Sequence, residues 1–120
     1  MNGSTKQVEW AMSIKANMIV EIERMRALLN SSDVFDRYVR IHSKDADAET
    51  VEHSRHEFAI GNEILNAAEA TVNAMTEARW FIDNNRSSVI AMLDRKTIRQ
   101  IESQFSCDAR TKWMALGLCR

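Results

Sequence analysis

Proline is absent from this chain of 120 residues, and glycine occurs only three times. Proline removes a backbone N–H and clashes with the preceding helical turn, and glycine raises the entropic cost of forming a helix. Almost nothing in the sequence therefore interrupts helices. We predict an all-α protein.

The length and composition predict one globular domain over residues 1–120. A chain of this length buries about two-thirds of its unfolded surface without disulfides or metals. Cys107 and Cys119 lack metal-ligand spacing and are interpreted as free thiols. The sequence shows neither a signal peptide nor an apolar run of about 20 residues, so we expect a cytoplasmic protein with no membrane partner.

The charge is unevenly distributed, although the net charge is only −1. Residues 1–85 contain nine Lys and Arg against fourteen Asp and Glu, and residues 86–120 contain seven against three. The basic third could bind an anionic partner, or the two parts could pair with each other. We favour the second interpretation.

Hydrophobic periodicity predicts a bundle of four or five helices, framed by two long ones that pack antiparallel. The first spans about residues 4–30 and opens with a capping box formed by Ser4 and Gln7. The second spans about residues 48–75. Shorter helices are predicted over residues 34–42, over residues 77–83, from Ser87 or Ser88 to about Phe105, and after Asp108.

Large apolar residues recur every seven positions along the second long helix, and mostly small residues follow three positions after each of them. The first line comprises Val51, Phe58, Leu65 and Val72, and the second comprises Ser54, Gly61, Ala68 and Met75. Such a heptad seam packs another helix closely. The partner helix could belong to the same chain, which we favour, or to a second copy in a homodimer.

Two segments carry a resemblance to other proteins. The first is Gly3-Ser4-Thr5-Lys6-Gln7-Val8-Glu9-Trp10-Ala11 followed by Ile14-Lys15, and the second is Glu77-Ala78-Arg79-Trp80-Phe81-Ile82-Asp83-Asn84. They resemble a loosely defined set of uncharacterised bacterial and phage proteins. These proteins pair an N-terminal GS-x-KQ-x-x-WA-x-x-I-(K/R) with a later A-(K/R)-W-(W/F)-I-D-N. The segments cover about twenty residues of the chain.

The resemblance implies a small helical protein of phages or mobile elements. The set has no established activity, so the resemblance implies no catalytic residues. The chain departs from the pattern at Asn85, which separates Asn84 from Arg86. Trp10 and Trp80 could form core or a docking patch, and the same holds for Trp113; we favour core, although tryptophan is enriched at binding hot spots.

The segment Glu52-His53-Ser54-Arg55-His56-Glu57 is the strongest candidate for chemistry. Its two pairs of histidine and glutamate are four residues apart, so each pair shares a helix face. A zinc enzyme needs at least three protein ligands, and neither the zinc-protease nor the di-iron spacing is present. We therefore interpret the segment as a solvated polar face, and we predict no metal, no cofactor and no enzyme activity.

The sequence favours a non-enzymatic protein that binds another protein. With the phage resemblance, the most concrete hypothesis is an inhibitor of a host defence complex, similar to an anti-CRISPR protein, whose acidic surface imitates nucleic acid. The acidic candidates are Asp47, Glu49, Glu52, Glu57 and Glu63. One alternative is a DNA-binding regulator that uses Arg95, Lys96 and Arg99, and another is a homo-oligomeric structural protein.

Overall fold

The structure of the protein is a computed structural model that describes residues 1–88 and 91–103, apart from the side chain of residue 102. These residues form α1 (Thr5–Leu29), α2 (Ser32–His42), α3 (Ala48–Ala74), α4 (Ala78–Asp83) and α5 (Arg95–Ser103). The predicted all-α bundle is confirmed. The predicted helix after Asp108, both cysteines and Trp113 lie outside the described residues.

Helix α1 begins as the sequence predicts. The Ser4 hydroxyl accepts a hydrogen bond from the backbone N–H of Gln7 at 3.2 Å, and the Gln7 side chain accepts one from the Ser4 N–H at 3.0 Å. This reciprocal pair satisfies backbone donors that a helix start leaves unbonded. The buried face of the helix follows the helical repeat and comprises Ala11, Ile14, Ile22, Met25 and Leu29.

Helices α1 and α3 pack antiparallel, as predicted. The Asn30 amide donates to Asn62 Oδ1 at 3.0 Å, and Arg26 Nη2 lies 2.5 Å from Glu69 Oε2. The residue number falls along α1 as it rises along α3, so the two helices run in opposite directions. The exposed fractions of 30% and 38% for the Arg26 and Glu69 side chains mean that this ion pair contributes little stability.

Helix α3 is the centre of the fold because it packs against α1, α2 and α5. One core cluster includes residues from all five helices or their flanks, such as Ile22, Tyr38, Leu65, Phe81 and Ile101. Within the cluster, the Phe58 ring packs edge-on against Tyr38 and Phe35, each at a centroid distance of 5.1 Å. These aromatic contacts attach α2 to the first half of α3.

The heptad seam of α3 is occupied by the chain itself. Most positions of the seam are buried by other described parts of the chain. They comprise Ser54 and Gly61 on the small line, and Phe58, Leu65 and Val72 on the large line. The intramolecular interpretation is therefore confirmed. A homodimer through this seam would require a second copy to displace the chain's own helices.

The start of α5 differs from the sequence-based prediction. The Ser88 hydroxyl accepts a hydrogen bond from the N–H of Ala91 at 3.3 Å, but α5 begins only at Arg95, where Asp94 Oδ1 accepts from the N–H of Thr97 at 2.7 Å. Prediction of a helix from Ser87 or Ser88 is thus wrong by about two turns. Leu93, just before the helix, and Ile101 within it are buried.

Candidate functional site

The two segments that carry the phage-type resemblance meet in space. Backbone hydrogen bonds join Asn2 N to Thr76 O at 2.6 Å and Ala78 N to Asn2 O at 2.9 Å. Gly3 follows with φ 146°, and a Cβ on it would lie 2.9 Å from Ala78 Cβ. Glycine is therefore required by both conformation and space. Residues 2–3 and 76–78 form a contact that we call the N-terminal clamp.

Most of the pattern residues in these two segments cap a helix or pack in the interior. Ser4 and Gln7 cap α1, whereas Ala11, Ile14 and Phe81 are buried. Trp80 is half-buried, and its ring contacts Phe81 edge-on at 5.1 Å. The core interpretation is thus right for the second segment.

Among the three aromatic residues of the two segments, Trp10 is the exposed one, at 53%. It lies at the border between the buried and outer faces of α1. On that outer face, Met12, Ala16 and Val20 follow one another at intervals of four residues and form one line. Met12 is 60% exposed and Val20 is 65% exposed. We call Met12, Ala16 and Val20 the α1 strip. Trp10 lies two positions before Met12 and therefore projects from a different side of the helix. The sequence alone did not indicate the exposure of Val20.

Two exposed glutamates flank the α1 strip. Glu9 lies three residues before Met12, and Glu23 lies three residues after Val20. Neither carboxylate forms an ion pair with a residue that the structure describes. The strip therefore has an apolar centre and acidic ends, which is the pattern of a surface for an apolar partner with basic flanks.

Four of the five acidic candidates are exposed. Glu49, Glu52 and Glu63 lie on the outer face of α3, and Asp47 is the N-cap of that helix. Asp47 Oδ1 accepts from the N–H of Thr50 at 2.8 Å, and Oδ2 accepts from the Ser43 hydroxyl at 2.7 Å. These hydrogen bonds, the backbone one foremost, hold the pKa of Asp47 below its usual value of 3.8.

Glu57 does not belong to the acidic surface. Its side chain is 2% exposed, and Oε1 lies 2.8 Å from Nε2 of His53. Because α3 packs against three other helices, its buried arc is wide enough to include this position. The prediction of Glu57 as a partner contact is wrong, and the interpretation of residues 52–57 as a wholly solvated face is also wrong.

The other predicted pair in that segment lies at the surface. Glu52 Oε1 lies 3.2 Å from Nε2 of His56, and both side chains are more than 40% exposed. Over residues 1–88 and 91–103, no group of three or more His, Cys, Asp or Glu side chains has metal-binding geometry.

The basic candidates share one face of α5. Arg95, Lys96 and Arg99 are exposed, whereas Ile98 and Ile101 pack against the core cluster. None of the three cations forms an ion pair with another described residue. Asp94, just before them, is engaged by the N–H of Thr97, which lowers the pKa of its carboxyl group.

No helix in the described part of the chain combines the length and apolarity needed to cross a bilayer. No protein-family model, curated protein or solved structure matches the chain.

Proposed function

We propose that this chain is a non-enzymatic, cytoplasmic binding protein that docks on another protein through the α1 strip. The observation that carries the proposal is the exposure of Met12 and Val20, which lie on one line of α1 with Ala16 between them. Removing such side chains from water on binding releases roughly 25 cal/mol for each Å² of apolar surface.

The acidic ends of the strip favour a different protein over a second copy as the partner. In a parallel pairing of two α1 helices, Glu9 faces Glu9 and Glu23 faces Glu23. In an antiparallel pairing centred on Ala16, Glu9 faces Glu23. Both arrangements place like charges opposite each other, which disfavours association. The complementary partner has an apolar patch with lysine or arginine at its ends.

The concrete role that we propose is inhibition of a host defence complex, as in anti-CRISPR proteins. Support comes from the phage-type resemblance and from the excess of acidic residues over residues 1–85. Proteins that handle nucleic acid present basic surfaces, which attract an acidic ligand. The exposed Glu49, Glu52 and Glu63 on α3 would add to this attraction.

Site-specific photo-cross-linking tests the binding surface. A photoreactive phenylalanine analogue replaces Val20 in one variant and the exposed Ala74 of α3 in a control variant. We expect irradiation in a bacterial host to give a discrete adduct with a second protein at Val20 and none at Ala74. The same adducts from both positions, or an adduct of two copies of this chain, would contradict the proposal.

Phage plating tests the role. Cells that carry a defined defence system are infected with a targeted phage, with or without this protein. We expect the protein to restore plating on a CRISPR-protected host, and Met12→Glu and Val20→Glu to abolish that effect. Ile41→Glu is the matched control, because Ile41 is 62% exposed but lies on α2. Full activity of the two α1 variants would exclude the α1 strip.

The basic face of α5 supports a second candidate, a regulator that contacts the phosphates of duplex DNA. Arg95 and Arg99 are one helical turn apart, and Lys96 is adjacent to them. Three phosphate contacts predict a slope of about −2.7 for log K against log salt. Measured by fluorescence anisotropy, the double variant Arg95→Ala/Arg99→Ala should reduce this slope by about two. A slope that does not change in this variant would exclude α5 as the contact.

A further inference from the structure

A groove between α2 and α3 forms a second surface feature, distinct from the α1 strip. One cavity in this groove has a volume of about 290 Å³, and Phe35, Val39 and Val51 provide its apolar lining. An adjoining cavity of about 410 Å³ shares Phe35 and Arg55 with it. The groove therefore continues past these two side chains.

The charged residues of the smaller cavity come from both helices. Arg40 of α2 and Arg55 of α3 line it, together with Asp36 of α2. Arg40 forms no ion pair with another described residue, and the contact from Arg55 Nη1 to Glu52 Oε2 is long, at 3.8 Å. Such an exposed pair holds its partners weakly. Both guanidinium groups can therefore turn towards a ligand.

The rim of the cavity is already ordered by contacts within the chain. Ala46 lines it with φ 47°, a conformation that residues other than glycine seldom adopt. The N–H of Ala46 donates to Ser43 O at 3.1 Å, and the Ser43 hydroxyl donates to Asp47. These hydrogen bonds hold the α2–α3 connection in one shape, so binding requires little further ordering there.

We propose that this groove binds a carboxylate attached to an apolar group. The apolar group packs on Phe35 and Val51, and the carboxylate accepts hydrogen bonds from Arg40 and Arg55. Arginine donates in a planar fork that matches a carboxylate. With Asp36, the lining carries a formal charge of +1, which suits a monoanion better than a phosphate dianion. The proposal does not depend on the α1 strip.

The chemistry that the groove recognises has two possible sources: a small free acid, or the C-terminal carboxylate of a peptide that ends in an apolar residue. The probes are therefore 3-phenylpropionate and a tetrapeptide of three glycines followed by phenylalanine. The uncharged controls are 3-phenylpropionamide and the same tetrapeptide with an amidated C-terminus. Binding at least about tenfold tighter for the peptide acid than for 3-phenylpropionate would identify a peptide source, and comparable binding would identify a free acid.

The test is a titration of the full chain followed by ¹H–¹⁵N NMR. We expect 3-phenylpropionate to shift the amide signals of Phe35, Val51 and Arg55 saturably, and the amide probe to bind about tenfold more weakly. Arg55→Gln and Arg40→Gln should each weaken binding by about tenfold, whereas Asp36→Asn should tighten it. Arg37→Gln, on α2 but outside this cavity, is the matched control and should bind as the wild type does.

Each result decides the proposal. Equal binding of the acid and the amide, shifts that map to another surface, or full binding by Arg55→Gln would overturn it. The spectrum of each free variant reports whether its fold is retained. All three arginines are exposed, so we expect native spectra.

Discussion

Oε1 of Glu57 lies 2.8 Å from Nε2 of His53, and the two side chains differ sharply in exposure, at 2% for Glu57 and 43% for His53. A carboxyl group is thus held inside the bundle by an imidazole that reaches solvent. Burial of a carboxylate is costly unless it is hydrogen-bonded. The buried Glu57 therefore depends on a hydrogen-bond partner, His53, that lies at the surface of α3.

The first prediction concerns this pair. His53→Ala should lower the free energy of unfolding by about 2 kcal/mol, because it removes a hydrogen bond to a buried acidic group. In a double-mutant cycle, His53→Ala with Glu57→Leu should cost less than the sum of the single variants, since the leucine no longer needs the imidazole. Urea denaturation measures both quantities. Strict additivity would show that the pair does not interact energetically.

The N-terminal clamp gives a second prediction. Gly3→Ala places a Cβ 2.9 Å from that of Ala78 and forces alanine into φ 146°. We expect a loss of about 1–3 kcal/mol in stability, measured by thermal or urea denaturation. Ala16→Gly is a useful comparison, because it changes one methyl group at an exposed position of α1 and should cost about 1 kcal/mol through helix propensity alone.

Two aromatic residues of the signature should behave in opposite ways. Phe81 is fully buried, so Phe81→Ala should cost about 3–5 kcal/mol of stability. Trp10 is 53% exposed, so Trp10→Ala should cost less than about 1 kcal/mol. Unfolding curves of the purified variants check both values. A large destabilisation by Trp10→Ala would favour the core interpretation.

The N-cap of α3 predicts a pH dependence. The pKa of Asp47 in the folded chain is lower than the usual 3.8, so its contribution to stability is complete above that value. The contribution is lost as the pH falls through the lowered pKa. Asparagine also caps helices but does not titrate. We therefore expect wild type to exceed Asp47→Asn in stability at pH 7 and the difference to shrink below about pH 4, as measured by urea denaturation at each pH.

The elements that the sequence predicts best are those set by neighbouring residues. The capping box at Ser4 and Gln7 is local, and so is the cap at Asp47. The start of α5 was mispredicted because Ser87, Ser88 and Asp94 are all good N-cap residues. Local preference does not choose among them, and the packing of Leu93 against the core favours the turn before Asp94.

In the candidate site, too, features set by neighbouring residues were predictable from the sequence, and features set by packing between helices were not. Periodicity predicts which line of α3 faces its main neighbour, but α3 has three neighbours, and Glu57 is buried by this wider packing. The exposure of Trp10 could not be predicted from the sequence either. An apolar residue at the border of a helix face is buried or exposed according to how far the next helix extends over it. The groove beside Arg40 and Arg55 exists because α2 and α3 meet, and no spacing within either helix indicates it.

The N-terminal clamp also bears on the order of folding. Asn2 and Glu77 are separated by 75 positions, yet the Asn2 amide donates to Glu77 Oε1 at 2.8 Å and the adjacent backbones pair. Loop closure over such a distance is slow relative to the winding of each helix. We expect the clamp to close last and to open first, and the amide hydrogen of Ala78 to exchange with solvent faster than those within α3.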